Sequence, residues 1–238
     1  MKQAIIQDSF WEVFPDGQIN LLILNNIDNH INEEKIIEFT ELLNQASKDA
    51  HSFLGEEVFS QNEVVKQWRE AYSQFKTKKG ARSSIEALLK RVNQDKAFSP
   101  INPLVDIYNS ISLSYGVPCG GEDIDTIEGN LYLGKAKGGE SFKPLGAEED
   151  SPALPEEIIH YDDKGAICRS LNWREAQRTM LTEDTKNAVL VIESVYKDQI
   201  PQANDAIKKL KQLADEYFKT EGELIYLTKE HPTATIES

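Results

Sequence analysis

The chain has 238 residues, 39% apolar and 28% charged, which is enough to bury a core and too apolar for a disordered chain. Its formal net charge of −14 disfavours indiscriminate binding of polyanions but leaves room for a local basic face. No apolar run approaches the ~20 residues a membrane span needs, and the first residues lack the apolar stretch of a signal peptide, so a cytoplasmic chain with no membrane partner is expected.

In chain order, "AIIQDSFWEVFPDGQINLLILN" contains two apolar runs around Pro15-Asp16-Gly17, which predicts a hairpin or a strand-turn-strand unit. Asn32 is placed to cap a helix whose apolar stripe runs through Ile36, Ile37, Phe39, Leu42 and Leu43. A second stripe follows at Val64, Val65, Trp68, Tyr72 and Phe75, and a short helix is expected over 84–92. Asn102-Pro103 is a strong helix start, with Asn as cap and Pro in the first turn. Leu104, Ile107, Tyr108, Ile111 and Tyr115 then share a face, with Asp106, Asn109 and Ser110 on the other side.

From residue 130 the pattern shortens into strand-like runs, "NLYLGKA", "EEIIHYDD", "AICRSL" and "AVLVIES", separated by Gly, Pro and acidic turns. A last helix opens at Pro201, "ELIYLTK" is a last strand, and residues 231–238 are expected to form a loose tail. The reading is α+β: one domain over 1–230, a mixed or antiparallel sheet flanked by helices.

Several chemistries are missing. There is no Gly-x-Gly-x-x-Gly and no Gly-x-Ser-x-Gly, and the four histidines have no metal-type spacing. Residues 129–136 match a P-loop except at the last position, where the magnesium-binding hydroxyl is missing, and their Leu-Tyr-Leu interior reads as a strand. Cys119 and Cys168 are expected as free thiols; Cys119 is either a nucleophile or a small buried group. Asp106, Glu122, Asp123 and Asp125 form either an acid cluster or a set of turn and helix caps. Lys76, Lys78, Lys79, Arg82, Lys90 and Arg91 crowd together in an acidic chain, either as a solvated face or as a phosphate-contacting patch. "CRSLNWREAQRT" sets Arg169, Asn172, Trp173 and Arg174 directly after a strand; arginine can grip a phosphate and tryptophan can stack on a base, but a polar turn also fits. Gly120-Gly121, between Cys119 and two acids, requires either a positive φ or a close approach to the main chain.

Taken together and in order, "RSSIEALLKRV", "INPLVDIYNSISLSYGVPCGGEDID", "GNLYLGKAKGGESFKPLG", "AICRSLNWRE" and "TKNAVLVIES" resemble a free-standing member of the B3/B4 family, named for the editing domain of the phenylalanyl-tRNA synthetase β subunit. The resemblance implies an aminoacyl-tRNA deacylase acting in trans, with mischarged tRNA as partner and no cofactor or metal. The alternative is a non-catalytic module of the same fold that binds tRNA, an amino acid or a protein. The family's Asp-x-Thr-Asn falls on Asp106-Ile107-Tyr108-Asn109, its Pro-Leu-His-Ala-Phe-Asp on Pro118-Cys119-Gly120-Gly121-Glu122-Asp123, and its pocket glutamate on Glu193. The glycine-rich pocket loop of the synthetase is replaced by Leu171-Asn172-Trp173-Arg174. The catalytic set implied is Gly120, Gly121, Asn109 and Glu193, with the glycine backbone polarising the ester carbonyl. Substrate contacts are expected from Tyr108, Cys119, Asp123, Arg169, Asn172, Trp173 and Arg174, and tRNA-backbone contacts from the basic stretch. Tyr108 and Trp173 predict a small or medium aminoacyl group.

Overall fold

The computed structural model describes residues 1–237. In chain order the elements are β1 (Lys2–Ile6), α1 (Asp8–Val13), β2 (Gln18–Leu24), α2 (Ile36–Ala50), α3 (Glu63–Ser73), α4 (Ser84–Val92), α5 (Pro103–Tyr115), β3 (Gly120–Asp123) and β4 (Leu131–Lys135). There follow β5 (Ile158–Tyr161), β6 (Ala166–Arg169), β7 (Arg174–Glu175), β8 (Ala188–Ser194), α6 (Ile200–Phe218), β9 (Glu223–Leu227) and β10 (Thr233–Glu237). The class is α+β, but the strands divide into two sheets: a six-stranded sheet in the order β10-β1-β4-β5-β6-β7 and a four-stranded sheet in the order β3-β8-β2-β9.

The first apolar pair is therefore not a hairpin. β1 enters the six-stranded sheet and β2 the four-stranded one, and α1 crosses between them. Phe10, Trp11 and Phe14 are buried at helical spacing, so the run between the strands is itself core. In α2 the buried stripe is Phe39, Leu43, Ala46 and Ala50; Ile36 and Ile37, expected to point inward, are exposed in its first turn. The chain end expected to be loose is ordered as far as residue 237, because β10 pairs antiparallel with β1; residue 238 lies outside the described residues.

Strand alternation in the four-stranded sheet separates two cores. Leu22, Leu24, Leu190 and Ile192 pack with α2, α5 and α6 residues such as Phe39, Ile107 and Ile207. On the other face Ile19, Leu21, Val189 and Val191 meet Leu131, Leu133 and Ile158 of the six-stranded sheet, with Trp68 of α3 and Leu89 of α4 closing the side. The helix that precedes β3 starts and stops as the sequence predicts. The Asn102 side chain accepts the Val105 N–H at 3.1 Å, and Gly116 ends α5 in the left-handed region at φ 62°.

Candidate functional site

A cavity of about 460 Å³ opens between the two sheets, at the end of their shared core. Register builds its walls. On the four-stranded side Gly120 pairs with Val191 and Glu122 with Val189, so Gly120, Glu122, Val191 and Glu193 share one face. On the six-stranded side His160 pairs with Cys168, and Cys168 with Glu175. A register shift beside His160 turns Cys168 inward next to Ile167. The helix α4 supplies Ser84, Ala87 and Leu88 to the mouth.

The residues predicted at the site largely meet. Tyr108, Asn109, Cys119, Gly120, Gly121, Asn172, Trp173, Arg174 and Glu193 all line this cavity. Two do not. Arg169 is 1% exposed and lies against the fully buried Glu157, donating to it from Nε at 3.1 Å and from Nη2 at 2.7 Å. It is thus consumed by an interior ion pair. Asp123 is also buried; it accepts the Asp125 N–H at 3.0 Å and the Thr185 hydroxyl at 2.8 Å, as a cap. Of the other acids, Asp106 accepts the Ile101 N–H at 2.9 Å, and burial pushes its carboxyl up to about 6. Asp125 is exposed and accepts from Asn187. Among the described residues no group of three His, Cys, Asp or Glu side chains is arranged to hold a metal ion.

Neither Gly120 nor Gly121 has a positive φ, so what limits a side chain at either position is space and not backbone conformation. A Cβ on Gly120 would lie 3.0 Å from Glu175 Oε1. A Cβ on Gly121 would collide with Leu190 and stand 2.9 Å from Leu181 Cδ1 on the opposite face. The Gly121 N–H points away from β8 and donates to Glu175 Oε1 at 3.3 Å. Glu175, absent from the predicted set, therefore sits over the bare face of Gly120. Glu175 is half-buried; loss of hydration there above all, then the Glu193 charge, outweighs the Gly121 hydrogen bond and lifts its carboxyl to about 7.

Glu193 is buried inside the cavity and not at its rim. Its Oε1 lies 3.0 Å from His160 Nε2, and its Oε2 accepts Asn172 Nδ2 at 3.3 Å. Asn172 Oδ1 in turn accepts the Tyr72 hydroxyl at 2.9 Å. Asn172 is delivered by a turn in which Ser170 and Leu171 have φ of 46° and 65°, a costly conformation for residues with a Cβ. Glu157 holds that turn: its Oε1 accepts both the N–H and the hydroxyl of Ser170, at 2.9 and 2.7 Å. The Asn172 carbonyl accepts the Ser84 N–H at 3.1 Å, tying the turn to the start of α4.

His160, Glu175 and Glu157 escaped the sequence reading. A histidine inside the apolar run "IIHYDD" was the available signal for the first. Burial pushes both thiols, Cys119 and Cys168, well up, which suits small apolar groups and not nucleophiles.

The basic stretch lies outside the cavity. Lys76, Lys79 and Lys90 are exposed and Arg82 is half-buried. Lys78 Nζ donates to Ser151 at 2.7 Å, and exposed Arg91 donates to the Ala97 carbonyl at 2.7 Å while lying over Phe98. On α4, Arg91 continues the stripe of Ser84, Ala87 and Leu88, one turn beyond the mouth. Trp173, at the same mouth, carries the Arg174 guanidinium 5.1 Å from its ring centroid. The near P-loop is a strand, and Lys135 pairs with Glu12 and Glu156.

The family model for the B3/4 domain matches residues 67–222. The chain is 36% identical over 111 residues to the phenylalanine–tRNA ligase beta subunit of Ruegeria pomeroyi, covering 46% of this chain and 13% of that one. Its fold is similar to an N-terminal fragment of the phenylalanyl-tRNA synthetase β-subunit from Pyrococcus horikoshii, with a TM-score of 0.51 and 12% identity, over 94% of this chain and 53% of that one. The chain thus spans a minor part of the ligase subunit and about half of the fragment.

Proposed function

This chain belongs to the B3/4 domain family, and on that premise we propose that it hydrolyses the ester of mischarged aminoacyl-tRNA, acting in trans as an editing deacylase. The observation that carries the reading is the position of Glu175, a carboxyl held near neutrality directly over the bare face of Gly120. A base of that strength is matched to activating water at ordinary pH.

In this reading the acceptor stem lies along α4, where Lys90, Arg91, Lys76, Lys78, Lys79 and Arg82 meet phosphates. The terminal adenosine enters beside Trp173 and Arg174, which offer it a stacking surface. Glu193, fixed by His160 and Asn172, receives the α-ammonium group. The ester carbonyl then lies over Gly120, within reach of the Gly121 N–H, whose present bond to Glu175 is long at 3.3 Å. Asn109 lines the approach.

Glu175 takes a proton from water as the water oxygen bonds to the carbonyl carbon. The tetrahedral centre collapses, the bond to the ribose oxygen breaks, and that oxygen receives the proton from Glu175. Positioning and one base suffice for ester chemistry, with no protein nucleophile. The test is release of amino acid from a panel of mischarged tRNAs by the wild type and by Glu175→Gln. Binding of aminoacyl-tRNA without hydrolysis of any member would replace this reading with that of a binding module.

A further inference from the structure

The carboxylates of the cavity have acceptor positions to spare. Glu175 receives one hydrogen bond, from Gly121, and Glu193 two, whereas a carboxylate offers about four acceptor positions. Glu122 is 5% exposed, lies on the cavity face of β3, and its Oε2 has no hydrogen-bond partner. Two nearby donors are already engaged, Asn172 Nδ2 by Glu193 and the Gly121 N–H by Glu175, and the Thr179 hydroxyl lies beside Glu122. Between the acids the wall is apolar, with Val191, Cys119 and Cys168.

The acids are also spaced along a line. Glu122 pairs with Val189, four residues before Glu193 on β8, and Gly120 pairs with Val191 midway between. Four residues of strand span about 13 Å between Cα atoms. Two inward-reaching carboxylates thus flank the bare glycine, with an apolar floor between them. A ligand complementary to this surface carries two amines joined by a short aliphatic chain.

Building on the deacylase reading, we propose that the aminoacyl group this site selects has an amine-terminated side chain: the α-ammonium is held by Glu193 and the side-chain ammonium by Glu122. The buried carboxyl of Glu122, which has the Thr179 hydroxyl beside it, then gains a cation in direct contact, and the methylenes lie on Val191 and the cysteines. An unpaired buried carboxyl is costly, so its pairing favours a cation over an apolar side chain of equal length.

The test uses amide-linked analogues that cannot be hydrolysed, in which lysyl, norleucyl or glutaminyl groups are joined to 3′-amino-3′-deoxyadenosine. Titration calorimetry is expected to show the lysyl analogue binding at least tenfold more tightly than the norleucyl and glutaminyl analogues, and Glu122→Gln removing most of that preference. Norleucyl or glutaminyl binding equal to or tighter than lysyl overturns the inference on the wild type alone, even if Glu122→Gln does not fold. In parallel, one tRNA body carrying each of the three groups is assayed for hydrolysis. Lysyl preference in binding with no hydrolysis of any ester defeats the deacylase and keeps the amine site. Hydrolysis that favours norleucine, with binding to match, does the reverse.

Discussion

His160 Nε2 and Glu193 Oε1 lie 3.0 Å apart although they belong to different sheets, one on β5 and the other on β8. The contact spans the cavity floor and fixes the carboxylate that is proposed to receive the α-ammonium. Both side chains are less than a tenth exposed, so removing one strands the other's polar atoms. His160→Ala is expected to destabilise the fold by about 1–3 kcal/mol and to raise KM more than it lowers kcat. Denaturant titration and steady-state deacylation, measured together, check both halves.

Glu175 makes stability depend on pH. Its carboxyl titrates near 4.5 in an unfolded chain and at about 7 in the folded one. The folded state therefore holds the proton more tightly. The stability this contributes is fully present below about pH 4.5 and is lost as pH rises through 7. Glu175→Gln is expected to match the wild type at low pH, after allowance for its altered hydrogen bonding, and to become relatively more stable at pH 8, by about 1–3 kcal/mol. The same variant is expected to lose the rise of kcat/KM with an inflection near pH 7. Thermal melts from pH 5 to 8, compared between the two proteins, isolate this group from Asp106, which titrates in the same direction.

The adjacent glycines are expected to separate activity from stability. Gly120→Ala sets a methyl 3.0 Å from Glu175 Oε1, a side-chain atom that can yield, and requires no left-handed backbone. It is expected to fold normally and to lose most deacylation, because Glu175 is displaced and the ester can no longer approach. Gly121→Ala collides with packed leucines on the opposite face and is expected to cost about 1–3 kcal/mol of stability. A fully active, well-folded Gly120→Ala variant would remove the Gly-Gly edge from the chemistry.

The interior pair Arg169–Glu157 offers a different test. Arg169→Leu leaves Glu157 buried without its cation, which typically costs about 3–5 kcal/mol. The folded fraction is nevertheless expected to bind tRNA as the wild type does, since Arg169 faces no solvent. Filter binding corrected for folded protein measures this.

Lys78, Lys79 and Arg82 changed together to Ala are expected to weaken every tRNA similarly and to flatten the salt dependence of binding. An unchanged slope would assign the stretch to solvent alone.

Much of this was legible in the sequence, element by element. Asn102, Pro103 and Gly116 mark the limits of α5 through local capping chemistry, and the strand runs after residue 130 follow their alternation. Cavity residues such as Asn109, Gly120 and Glu193 follow from the family resemblance, because motif order carries spatial adjacency that spacing alone does not. The division into two sheets was not legible, since β1 and β2 have similar composition and differ only in long-range partners. Glu175 was hidden for a related reason: nothing local shows that a two-residue strand, β7, lays its acid over a glycine 55 positions earlier. Arg169 was misread because its buried counter-ion, Glu157, lies across a turn in an acidic stretch that looks solvated.

The pairing of β1 with β10 has a kinetic consequence. Lys2 stands opposite Glu237, so β1 acquires its outer neighbour only after every other strand of its sheet has been made. Until then β1 presents an unpaired edge carrying Ala4 and Ile6, both buried in the finished sheet. Closing a loop of this length costs little more entropy than closing one half as long, yet contacts so distant in sequence slow folding. Completion of the six-stranded sheet is therefore a late event, and until β10 is made the outer edge of β1 stays open to any other strand that can pair with it.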